Sequence, residues 1–217
     1  MISGVAFEID AEAVVIRAEH PLRAVSSAIV GGGLAEVRTI VNLHVPRGFQ
    51  CDESERRLDD FAKRRSLARP FVGLLTGAAT EQAEHCTERE QGLTVWSIVT
   101  LGLSNRSTAG RSPAMAWRPS TINTIVIVDG QPEDAALVNL VITATEVKTL
   151  ALMEGGVRSP EGEMVTGTST DAVVVAATGR GVSYRFGGPV SELGSVVARA
   201  VKSAMDAAVV RWMKGHP

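Results

Sequence analysis

The sequence predicts an α+β fold, with mixed β-sheet of about seven or eight strands covered by two long helices, an arrangement open to a layered α/β sandwich. Two observations carry this. Strand-like runs crowd the first half of the chain and long helical patterns come late, without strict alternation of strand and helix. Hydrophobic residues make up 45% of the chain but aromatics only 4%, so the core must be built from Val, Ala, Leu and Ile. With 217 residues, no break in composition and no internal repeat, the chain reads as one domain over 1–217.

Residues 5–10 and 13–18 cluster apolar positions around Asp10-Ala11-Glu12 and predict an N-terminal hairpin. Residues 24–30 predict a further strand, stopped by Gly31-Gly32-Gly33. Over 36–45 the residues alternate: Val37, Thr39, Val41, Leu43 and Val45 on one face, Arg38, Ile40, Asn42 and His44 on the other. The second face is mostly polar and is expected to line a cavity or the solvent. Residues 53–68 predict a surface helix with a narrow stripe of Leu58, Phe61 and Ala62, closed by Pro70. Its Arg56, Arg57, Lys63, Arg64, Arg65 and Arg69 are interleaved with Glu53, Glu55, Asp59 and Asp60, the pattern of a solvated face laced with ion pairs.

Residues 71–76, 93–103 and 121–128 predict buried strands, with a Ser-, Gly-, Pro- and Arg-rich loop over 105–119. Asp129-Gly130-Gln131-Pro132 turns the chain into a helix over 133–154, whose stripe is Leu137, Val141, Ala144, Val147 and Ala151. Gly155-Gly156 ends it where a left-handed cap is expected. A strand over 172–178 precedes a final helix over 191–213, with Ser191 as N-cap and Glu192 in its first turn.

The most informative stretch runs from Met164 to Thr178, where Thr166, Gly167, Thr168, Ser169, Thr170 and Asp171 lead into a β-branched apolar strand. These small polar residues suit a loop whose hydroxyls and amides face a ligand, or an Asx or Ser/Thr turn that caps the strand. Upstream, Thr145, Glu146 and Lys148 interrupt an apolar helix. Glu146 and Lys148 are two apart, so they diverge. Lys148 lies by phase beside the buried stripe, where it either finds a partner or reaches out to the surface. Ser26 and Ser27 before the triple glycine offer an amide-rich cradle without the spacing of a nucleotide-phosphate loop. Asn105 and Asn123 place carboxamides at sheet rims.

Net charge is −2, so nothing electrostatic argues for nucleic acid. No His-x-x-x-His or CxxC spacing points to a metal, and none is assigned. No apolar signal segment opens the chain, and no run is read as long enough to span a membrane. A cytoplasmic protein with free thiols at Cys51 and Cys86 is therefore expected. The apolar hairpin and the last helix could each bury a surface in a homo-oligomer.

The ordered set RAVSSAIVGGG (23–33), VNLHV (41–45), GLLT (73–76), TLGLSN (100–105), TINTIVIVDG (121–130), ITATEVKTLAL (142–152), TGTSTDAVVVA (166–176) and GGPVSELGSVVARAV (187–201) resembles the CbiZ family of adenosylcobinamide amidohydrolases. The resemblance implies a corrinoid-salvage hydrolase that cleaves the amide joining the aminopropanol arm to the corrin ring, giving adenosylcobyric acid. The corrinoid is then the substrate, with no cofactor. On this reading Asp171 or Glu146 is the general base, and Lys148 polarises the carbonyl or holds the carboxylate. Thr168, Ser169 and Thr170 supply a nucleophile or hydrogen bonds to the amide. Asn42, Asn105 and Asn123 read ring carboxamides, and Ser26 and Ser27 join them in binding. A corrinoid-binding sensor or carrier, and a hydrolase of another small amide, are the alternatives.

Overall fold

The computed structural model describes residues 2–46, 49–114 and 120–215. Strands β1 (Val5–Ile9) and β2 (Ala13–Ser26) form the expected hairpin. Asp10 makes its turn: one carboxylate oxygen accepts the amides of Glu12 at 2.8 Å and Ala13 at 2.9 Å. β2 does not end at 18, and the predicted strand over 24–30 is corrected. Its first residues are the far half of β2, which stops at Ser26. The ladder between β2 and β3 (Gly33–His44) breaks register between Arg17 and Leu22, where Pro21 has no amide hydrogen to give, and then resumes.

Helix α1 (Ser54–Arg64) is shorter than predicted, with Ser66 left-handed beyond its end. Strand β4 (Val72–Thr76) follows, then β5 (Glu84–Glu90), which the sequence reading missed, and β6 (Leu93–Leu101). The two-residue β7 (Arg106–Ser107), then β8 (Ile122–Asp129) and β9 (Gln131–Pro132), lead to helix α2 (Asp134–Glu154). The last elements are β10 (Gly167–Thr168), β11 (Ala172–Ala177), β12 (Ser183–Tyr184) and α3 (Glu192–Gly215). Part of the predicted loop over 105–119, residues 115–119, lies outside the described residues.

Eight strands form one mixed sheet in the order β4-β3-β2-β11-β8-β6-β5, with β1 on β2. Neighbouring strands lie about 4.8 Å apart, so β3 and β8, three places apart, would be well beyond side-chain reach in an open sheet. Yet Asn42 on β3 bonds Asn123 on β8, and Phe7 on β1 meets Trp96 on β6 edge-on at 5.1 Å. The sheet therefore folds back on itself into two layers. β1, the first half of β2, the second half of β3, and β4 make one layer. The remaining halves of β2 and β3, with β11, β8, β6 and β5, make the other.

Each core follows from this geometry. Val14, Ile16, Ile40 and Leu74 meet Ile98, Ile125, Ile127 and Val174 between the layers. Outside one layer, Leu58, Phe61 and Ala62 of α1 cover Val15, Val41 and Leu43. Outside the other, Leu137, Ala144 and Val147 of α2 and Leu193, Val197 and Ala200 of α3 cover Val126, Val128, Val173 and Val175. Ser191 caps α3, accepting the Gly194 amide at 3.1 Å, and Gly156 ends α2 at φ 68°.

The ion pairs expected along α1 also reach beyond the cluster: Arg65, just past the helix, binds Asp10 at 2.5 Å and Arg64 binds Glu12 at 2.6 Å, fastening the helix to the first hairpin. By length and composition α2 could cross a bilayer, contrary to the reading that no run is long enough. In this fold half of that stretch is buried, on the sheet and on α3.

Candidate active site

Where the two layers meet at one end, the terminus of β4 faces the starts of β8 and β11 across a cavity of about 240 Å³. Leu74, Leu75, Thr76 and Gly77 line one side, and Ser120, Thr121 and Asn123 the other. Thr170, Asp171 and Ala172 enter from the loop before β11, and Ser27 and Ile29 from the exit of β2. Most of these residues stand at strand ends, where a sheet presents side chains without burying them in a ladder. Asp171 is the one ionisable residue among the described lining residues.

Asp171 is highly satisfied. One carboxylate oxygen accepts Lys148 Nζ at 2.5 Å and the Thr168 amide at 3.1 Å. The other accepts the Ile122 amide at 3.1 Å and the Thr168 hydroxyl. Four donors match the capacity of a carboxylate. The Lys148 and Asp171 side chains keep only 10% and 13% of their surface exposed, so each charge relies on the other. Gly167 allows the approach, since a Cβ there would overlap both the Asp171 carboxylate and the Lys148 ammonium.

Behind the cavity a chain of neutral bonds joins the layers. Asn123 donates to the Asn42 carboxamide oxygen at 2.8 Å and to the Leu75 carbonyl at 2.9 Å. Asn42 donates in turn to Thr100 at 2.9 Å. Thr121 donates to the Thr170 carbonyl at 2.6 Å, and Thr170 to the Ser120 carbonyl at 3.0 Å. Ser27 and Thr76 differ: their hydroxyl oxygens accept the amides of Val173 and Ala78. Among the described residues neither donates, which leaves both O–H groups available to a carbonyl oxygen in the cavity.

The fold thus gathers Lys148 and Thr168 around Asp171, and places Asp171, Thr170, Asn123 and Ser27 on the cavity lining. It separates others. Glu146 is exposed on the outer face of α2, away from both the pair and the cavity. Helical geometry explains this, because two residues turn the helix by about 200°. Ser169 is exposed and accepts Asn105 Nδ2 at 2.7 Å, a bond that fixes the loop. Asn42 is 1% exposed and lies behind Asn123. Ser26 sits in the β2 ladder opposite Gly33 and Val174. Sequence reasoning did not single out Thr76, Thr121, Ile29 or the steric role of Gly167. For Thr121 the signal was a hydroxyl immediately before a buried strand. Among the described residues no group of three or more potential metal ligands gathers.

Over residues 2–217 the chain matches the family model described as CbiZ, adenosylcobinamide amidohydrolase. It is 33% identical over 153 residues to a Methanosarcina mazei protein named adenosylcobinamide amidohydrolase, an alignment covering 70% of this chain and 68% of that one. A Halobacterium salinarum protein of the same name is 31% identical over 145 residues, covering 63% of this chain and 57% of the relative. Among solved structures, one from Pyrococcus horikoshii OT3 is similar at a TM-score of 0.49 and 13% identity, covering 95% of this chain and 83% of that one.

Proposed function

The chain belongs to the CbiZ family of adenosylcobinamide amidohydrolases, and on that premise we propose that the cavity between its sheet layers is where it hydrolyses the aminopropanol amide of adenosylcobinamide. In that reaction water adds to the amide carbonyl carbon and the C–N bond breaks. The nitrogen leaves with a proton as aminopropanol, and the carbonyl becomes the carboxyl of adenosylcobyric acid. The reading rests on one observation above all. Asp171 stands on the cavity wall and is held from behind by a largely buried pair with Lys148, among hydroxyl-bearing strand ends suited to an uncharged amide.

Asp171 is the proton acceptor in this scheme. Its bond to the Thr168 hydroxyl is the one that gives way when a water molecule enters beside it. Lys148 keeps the carboxylate oriented, and the Ser27 and Thr76 hydroxyls donate to the carbonyl oxygen as negative charge builds there. The Thr168 bond also favours a second reading, in which Thr168 itself attacks and its proton passes to Asp171. The C–N bond then breaks, aminopropanol leaves with that proton, and water hydrolyses the ester to adenosylcobyric acid and free Thr168. Glu146 takes no part in either scheme.

The test is incubation of the purified protein with adenosylcobinamide, following adenosylcobyric acid and aminopropanol by mass spectrometry. Release of both is expected, lost in Asp171→Asn and retained in Glu146→Gln. A covalent adduct on Thr168 would establish the second reading. Retention of full activity by Asp171→Asn would place the chemistry elsewhere.

A further inference from the structure

A cavity of about 240 Å³ is smaller than the roughly 300–1,000 Å³ of pockets that enclose a drug-sized ligand, and a corrinoid exceeds such a ligand. If the proposed function holds, the cavity admits the amide arm while the macrocycle rests at its mouth. Ile29 stands there. It lines the cavity yet keeps 45% of its surface exposed, a bulky apolar side chain beside walls rich in hydroxyls.

The backbone holds Ile29 in place from both sides. Ser27 exchanges hydrogen bonds with Val173 of β11: its amide donates to the Val173 carbonyl, and its hydroxyl accepts the Val173 amide, both at 3.1 Å. Val30 exchanges two backbone bonds with Gly73 of β4, at 3.2 and 2.8 Å. The segment therefore bridges one layer to the other, with Ile29 between its two attachments. Gly31 follows at φ 67°, where a Cβ would strike the Phe71 carbonyl, so the bridge lies tight against the strand. A fixed, half-exposed isoleucine makes a preorganised contact, because little freedom is lost when a ligand covers it.

We propose that Ile29 is a specificity-determining residue: an apolar seat for the methyl-bearing edge of the corrin macrocycle, which positions the substrate while its arm enters the cavity. This inference rests on the proposed function. It assigns Ile29 to recognition of the ring, leaving the chemistry to the cavity wall.

The experiment compares the full-length wild type with Ile29→Ser and Ile29→Val. It measures kcat and KM for adenosylcobinamide, and Kd for adenosylcobyric acid, which keeps the macrocycle and lacks the arm. Ile29→Ser should raise both KM and Kd about fivefold, the scale of half a buried isoleucine side chain, with kcat within about twofold. Ile29→Val should recover most of the loss. Unchanged KM and Kd, or a fall in kcat with Kd unchanged, would overturn the inference. Failure of the wild type to hydrolyse adenosylcobinamide would instead overturn the proposed function, and this inference with it.

Discussion

Asn123 on β8 donates to the carboxamide oxygen of Asn42 on β3 at 2.8 Å, a bond between strands that are not ladder neighbours. The same carboxamide donates to the Leu75 carbonyl, so one side chain ties the start of β8 to two strands of the opposite layer. Replacing it by Ala leaves two buried acceptors unmatched. Asn123→Ala should destabilise the protein by about 2–4 kcal/mol, seen as a lower urea midpoint with little change in slope. A loss below 0.5 kcal/mol would mean that water replaces both bonds.

Gly167 gives a steric prediction. Only an α-hydrogen faces the Lys148 ammonium and the Asp171 carboxylate there, and a methyl group would force them away. Gly167→Ala should lower kcat by at least about a hundredfold, the scale of displaced catalytic groups, with circular dichroism unchanged. Normal turnover would separate the ion pair from the reaction.

The pair itself predicts non-additivity. Removing one partner strands a buried charge, so Lys148→Met should destabilise by about 3–5 kcal/mol before discounting its residual exposure of 10%. Lys148→Met combined with Asp171→Asn should be more stable than Lys148→Met alone, yet inactive. A double-mutant cycle by denaturant unfolding reads the coupling. Additive losses would show that the charges do not depend on one another.

The Asp10 carboxyl is held below its ordinary range. Burial pushes it up, and the Arg65 guanidinium with the amides of Ala13 and Glu12 outweighs that effect. A lowered carboxyl stabilises the fold above its unfolded pKa of about 3.9, and loses that contribution as pH falls through the lower folded value. Asp10→Asn should therefore be less stable than wild type at pH 7, by about 1 kcal/mol or less because the pair is partly exposed. Urea unfolding should show the gap closing below about pH 4. An equal gap at pH 7 and pH 3 would assign the effect to the turn and not to the charge.

How much of this was legible depends on the distance over which each signal acts. Ile122–Asp129 and Ala172–Ala177 are dense in apolar, mostly β-branched residues, and the stripes of α2 and α3 repeat locally, so these elements stand out in the sequence. β5 does not, because Glu-His-Cys-Thr-Glu-Arg-Glu is an edge strand with polar residues on both faces. β2 reads as two strands because its apolar pattern lapses around Pro21, where the ladder only shifts register. Helical phase put Lys148 beside the buried stripe and left two outcomes open, a partner or a reach to the surface. Its choice of Asp171, 23 positions on, comes only from the fold. Asn42 and Asn123 are 81 positions apart and carry no mutual signal at all.

β2 and β3 each belong to both layers, one half on either side of the central core. The molecule is thus less a pair of leaves than a single ribbon creased once. A crease has no free axle: swinging one face outward would tear the two longest strands at their bend. The gape of the cavity is set when the chain folds, and a large substrate must be met by the shape of the rim.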